Sequence, residues 1–92
     1  MILLKHYIDL KVFHFNTFID FKVIEVLQED ESVSFQIFYN GRYFFTLVPK
    51  KKKAGSFELS LFDKMKKTAI DWDLFSKIEI SLFAILLREP VS

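Results

Sequence analysis

The sequence predicts an α+β fold: an antiparallel meander of about five strands with a C-terminal helix packed on one face. Three features carry that expectation. Asn40-Gly41 stands between two apolar-aromatic runs, and Asn-Gly is the strongest short-range hairpin signal because a type I′ turn needs positive φ at both central residues. Residues 56–62 alternate, with Phe57, Leu59 and Leu61 against Ser56, Glu58 and Ser60, as a half-buried strand does. Residues 73–87 set Leu74, Phe75, Ile78, Leu82, Ile85 and Leu86 on one side at helical spacing.

Residues 5–15 read as the first strand, because Ile8, Leu10 and Val12 alternate with Asp9 and Lys11. A helix through Leu4, Ile8, Val12 and Phe15 competes with it. Asn16-Thr17 supplies a turn, and residues 19–28, rich in Phe, Val and Ile, form the second strand. Glu29-Asp30-Glu31-Ser32 is an acidic turn leading into the hairpin of residues 32–39 and 42–48. Pro49 closes that hairpin, since it has no N–H to give a ladder. Lys50 to Gly55 form an exposed loop before the fifth strand, residues 56–62. Over residues 73–87 a strand still competes, because residues 77–82 alternate strictly. The stretch is long for a strand and the sheet needs a cover, which favours a helix with Asp73 as its N-cap.

The two-residue turn sets a register. Tyr39 faces Arg42, Phe38 faces Tyr43, Ile37 faces Phe44, Phe35 faces Thr46 and Val33 faces Val48. Side chains alternate across a sheet, so Val33, Phe35, Ile37, Phe44 and Val48 make a core face. The other face carries Phe38, Tyr43, Phe45 and Leu47 with only Ser34 and Gln36 to dilute them. A second apolar stripe, Ile80, Phe83 and Leu87, lies across Glu79 from the main stripe of the helix. Apolar surface on both sides of these elements calls for a partner, and a second copy is the economical one.

Ninety-two residues make one domain. Such a chain buries only about 60–65% of its unfolded surface, and 51% hydrophobic residues with twelve Phe offset that thin margin and exclude disorder. No cysteine is present, which excludes a disulfide framework, thiolate metal sites and a Cys nucleophile and suits a reducing cytoplasm. The start of the chain, Met1-Ile2-Leu3-Leu4-Lys5-His6, lacks the layout of a signal peptide. The longest apolar run, residues 82–87, is far short of the roughly 18–20 residues that span a bilayer. A net charge of +1 gives no global field to attract nucleic acid or an acidic membrane.

Candidate chemistry is sparse. Lys50, Lys51, Lys52 and Lys53, with Lys64, Lys66 and Lys67 elsewhere in the chain, suit either salt-sensitive contact with phosphates or a solvated loop that keeps the sheet soluble. The chain lacks the Gly-rich, ring-bearing strand of an RNA-recognition sheet. His6 and His14 stand about 26 Å apart on a strand or about 12 Å on a helix, too far to share a metal, and read as surface or edge histidines. Glu29-Asp30-Glu31 and the Asp71/Asp73 pair lack the spacing of a calcium loop; turn solubility and a helix start account for them. Trp72 suits equally an interface anchor and a staple closing the helix on the sheet. No nucleophile elbow, dinucleotide fingerprint, phosphate loop or HExxH motif occurs.

These observations predict a non-catalytic protein-interaction or accessory domain, with no cofactor, no metal, no membrane partner and no small-molecule substrate indicated. It self-associates, or binds another protein, through Phe38, Tyr43, Phe45, Leu47, Phe83 and Leu87. The alternative is weak binding of nucleic acid or an anionic surface through Lys50 to Lys53.

Overall fold

The structure, a computed structural model, describes residues 2–53 and 55–88; Met1 of the chain's start and Ala54 of the lysine-bearing loop lie outside them. Five strands pair in sequence order, all antiparallel: β1 (Ile2–His14), β2 (Thr17–Gln28), β3 (Val33–Tyr39), β4 (Arg42–Pro49) and β5 (Phe57–Leu59). A short helix, α1 (Leu61–Met65), follows β5 directly, and α2 (Trp72–Arg88) covers one face of the sheet. Both competing readings resolve in favour of the one preferred: residues 5–14 are strand, with Phe15 in the turn that follows, and residues 73–87 are helix.

The core lies between that face and α2. Ile8, Leu10 and Val12 of β1, Phe21 and Val23 of β2, and Phe35 and Ile37 of β3 pack beneath Phe75, Ile78 and Leu82. Phe45 joins the layers through Phe75, with ring centroids 5.8 Å apart. Glu79 accepts the Phe57 N–H at 2.7 Å, while Lys77, two residues earlier, reaches His14 at 3.1 Å. One turn of α2 is thus tied to both edge strands.

The Asn-Gly turn forms as expected, with Asn40 and Gly41 at φ 51° and 75°, and the first two pairs hold: Tyr39 with Arg42 and Phe38 with Tyr43. The register then slips by one. Ile37 pairs with Phe45 and Phe35 with Leu47, not with Phe44 and Thr46, because β4 carries a bulge at Phe44. A bulge adds one residue to one strand only, and a one-residue shift exchanges the faces. Phe45 and Leu47, expected on the outer face as contact residues, are therefore core, 1% and 0% exposed. Val48, expected in the core, lies outside it.

Three further expectations change. The first turn is Phe15-Asn16, both at positive φ, with Thr17 already paired to His14. Phe is uncommon in that conformation; its ring rests 4.1 Å from the His14 ring. The fifth strand stops at Leu59, because Ser60 caps α1 and turns Leu61 out of the alternation. The N-cap of α2 is Asp71, not Asp73: its carboxylate accepts the N–H groups of Asp73 at 3.0 Å and Leu74 at 3.2 Å. The Leu74 bond holds the Asp71 carboxyl below its ordinary value, with the His14 ring adding to the effect.

Candidate functional site

The feature that stands out chemically is α1, which is built inside out. Its buried residue is Asp63, 1% exposed, whereas Leu61, Phe62 and Met65 are 72%, 59% and 74% exposed. A helix on a protein surface ordinarily turns its apolar stripe inward. Here the anchor is a carboxylate. Asp63 Oδ2 accepts from the Ser60 hydroxyl at 2.7 Å, the Thr46 backbone N–H at 2.9 Å and the Tyr43 hydroxyl at 3.0 Å. The Ser60 N–H in turn donates to the Thr46 carbonyl at 2.9 Å.

The bonds to Thr46 explain why an acid is buried there. The pairing of β4 with β5 ends at Leu47 opposite Leu59, so Thr46 would show an unpaired N–H and C=O at an open sheet edge. The Ser60 N–H and the Asp63 carboxylate supply the donor and the acceptor that a longer strand would have supplied. A buried carboxylate is tolerated when hydrogen bonds satisfy it, and three donors converge on this one. Burial of the Tyr43 phenol raises its pKa, and its contact with the Asp63 carboxylate adds to the rise.

This anchoring leaves Leu61, Phe62 and Met65 exposed on the helix whose Asp63 bonds Tyr43, and the Tyr43 ring meets Phe38 edge-on at 5.8 Å. The outer face is lysine-rich around them. Lys64 pairs with Glu58 at 3.5 Å, Glu58 borders the same hollow as Lys50, Lys51 and Lys52, and the Lys66 ammonium sits 4.9 Å from the Phe62 ring centre. The near-neutral net charge conceals this asymmetry. Residues 50–67 hold seven of the thirteen basic residues against Glu58 and Asp63, a balance of +5, and the rest of the chain, with six basic and ten acidic residues, carries −4.

The expected contact residues thus divide. Phe38 and Tyr43 remain on the outer face, and Phe45 and Leu47 are core. The second stripe of α2 also divides: Leu87 is exposed, but Phe83 packs against the core, and a Cβ on Gly55 would come within 2.8 Å of its ring. Lys50 to Lys53 are exposed, and Gly55 holds their loop down on α2. Leu61, Phe62, Met65 and Asp63 were not among the expected site residues. Their signal is Ser60-Leu61-Phe62-Asp63, the Ser-x-x-acid pattern of a helix start, hidden inside an apparent strand alternation.

His14 is buried rather than at the surface. Its Nδ1 lies 3.1 Å from the Lys77 ammonium and 3.4 Å from the Asp73 carboxylate, and its Nε2 lies 3.4 Å from Asp71. Lys77 also bonds Asp73 at 3.0 Å. The four residues clamp the start of α2 to the end of β1. His6 contacts Glu25 at 3.3 Å. Among the described residues no group of three or more His, Asp or Glu side chains is placed to hold a metal ion, and no helix is long and apolar enough to cross a membrane. No protein-family model matches the chain, and comparison with curated proteins and with solved structures gives no match.

Proposed function

We propose that the protein is a non-catalytic accessory domain, cytoplasmic in keeping with its lack of cysteine, that docks on an acidic segment of another protein through α1 and Tyr43. The orientation of α1 carries this reading: the helix spends its one acidic side chain on the fold and turns three large apolar side chains to solvent. Clustered exposed apolar residues with a polar rim are what interaction sites look like. The surrounding lysines provide steering and orientation toward negative charge.

Two other arrangements compete. In a two-fold dimer the same patch meets itself, which would set Lys64, Lys66 and Lys67 of one copy near those of the other; an acidic partner meets no such repulsion. The lysines alone would suffice for a nucleic-acid backbone, and the apolar centre of the patch is what favours a protein. Binding to a fluorescent helical peptide of Glu and Leu, compared with an all-Glu peptide and a single-stranded oligonucleotide, tests the reading. The Glu-Leu peptide should bind tightest, and Phe62→Ser should weaken it by about tenfold or more without moving the thermal midpoint. Equal binding of all three probes, unaffected by Phe62→Ser, would leave the lysines alone as the site. A light-scattering mass that rises with concentration and returns to monomer in Phe62→Ser would assign the patch to self-association.

A further inference from the structure

The bulge at Phe44 does more than shift a register. In a regular strand Phe44 and Phe45 would point to opposite faces; here both rings turn toward α2, their centroids 4.5 Å apart. Phe45 fills the core. Phe44 lies beyond the first turn of α2 and stacks nearly parallel to Phe21, at 6.3 Å and 13°. Between the β3–β4 tip, the start of β2 and Leu74 this leaves a groove of about 390 Å³, within the range of small-molecule sites. Ile19, Phe21, Phe44 and Leu74 give it apolar walls, and Tyr39, whose ring meets Phe21 at 5.8 Å, and Arg42 stand at the hairpin end.

Arg42 gives the groove its chemistry. The acids within ion-pairing distance of a lysine or a histidine ring among the described residues are Glu25 with His6, Asp20 with Lys11, Asp9 with Lys22, Glu58 with Lys64, Asp71 with His14, and Asp73 with His14 and Lys77. None serves Arg42. A guanidinium presents planar paired donors to an oxyanion, so an anionic group beside it gains charge-assisted bonds that a neutral one does not.

We propose that this groove binds a small amphipathic anion, its apolar body between Phe21, Phe44 and Leu74 and its single oxyanion head group at Arg42. Carboxylate and phosphate heads share that chemistry. The groove meets the α1 surface at Tyr43, which lines its rim; the residues assigned to the anion, Phe21, Arg42, Phe44 and Leu74, are not part of α1, and the proposal stands whether or not α1 docks a partner.

Backbone amide spectra of the ¹⁵N-labelled protein, titrated with decanoate, decyl phosphate and decanol below micelle-forming concentrations, test it. Both anions should shift Ile19, Phe21, Arg42, Phe44 and Leu74, and the tighter of the two identifies the head group. Arg42→Gln, at the exposed start of β4, should weaken the anions by about tenfold and leave decanol unchanged. Decanol binding as tightly as the anions, an Arg42→Gln variant that binds them unchanged, shifts confined to residues 61–65, or no shifts at all would overturn the proposal. The α1 reading would survive each of these results, because its own probe is the Glu-Leu peptide.

Discussion

The two helices of this protein are held to the same sheet by opposite means. α2 runs seventeen residues and buries Phe75, Ile78 and Leu82; α1 runs five and buries an aspartate. Removing apolar surface from water is non-directional and grows with area, so a long amphipathic helix is secured by its stripe. Five residues offer too little area for that. A single carboxylate taking three hydrogen bonds fixes α1 in position and orientation instead, and frees its apolar side chains for other uses. How a helix is anchored therefore decides which of its faces is available.

Breaking the apolar side of the comparison should cost most. Phe45→Glu would place an unpaired carboxylate between β4 and Phe75, where burial of a charge costs more than a domain's whole stability of about 5–15 kcal/mol can absorb. Loss of the cooperative unfolding transition in thermal melts is the expected result. A folded variant with altered mass would restore Phe45 to the outer face. Ile78→Ala removes part of a fully buried side chain under α2 and should cost about 2–5 kcal/mol in denaturant unfolding.

The polar anchor should yield less and in a graded way. Asp63→Ala leaves the buried Thr46 N–H and the Ser60 and Tyr43 hydroxyls without their acceptor, and an unsatisfied buried group costs about 1–3 kcal/mol. Part of that is recovered as α1 detaches and water enters, so the expected loss is smaller than for Ile78→Ala. Hydrogen exchange at the Thr46 amide should accelerate far more than at Ile37. Asp63→Asn keeps one oxygen where Oδ2 accepts all three bonds, and should cost clearly less than Asp63→Ala. Equal losses would mean that the negative charge, not the geometry, holds the helix.

The contrast also marks what a sequence shows. The strands, their order and α2 were legible because apolar periodicity reports burial directly: Ile8, Leu10 and Val12, or Phe75, Ile78 and Leu82, are the interior residues that their spacing implies. The bulge was not legible. Phe44-Phe45 reads equally well in either register, since both are Phe and only tertiary packing chooses between them. α1 was hidden for a related reason. Leu61 continues the alternation of Phe57 and Leu59, and the residue that ends the strand, Asp63, looks like a solvated charge until Thr46 is seen to need an acceptor. Phe38 and Tyr43 kept their place because they precede the bulge.

The smallest expected effects lie in pH, and they run in opposite directions at the two anchors. The Tyr43 phenol has a raised pKa, from burial first and the Asp63 carboxylate second. The folded state therefore holds this proton more tightly than the unfolded chain. Its contribution is complete below about pH 10, the ordinary tyrosine value, and is lost as pH climbs through the raised value. Asp71 at the cap of α2 has a lowered pKa, chiefly from the Leu74 N–H. It contributes fully above the ordinary value near 3.8 and loses its contribution as pH falls through the lowered one. Thermal midpoints followed against pH should show both limbs. Tyr43→Phe should flatten the alkaline limb alone, because without an ionisable phenol no second negative charge forms beside Asp63. Asp71→Asn should flatten the acid limb alone, because Asn still caps the helix but has no proton to gain. If Tyr43→Phe left the alkaline limb intact, the phenol would not be coupled to Asp63 in solution, and α1 would be held by Ser60 and Thr46 without it.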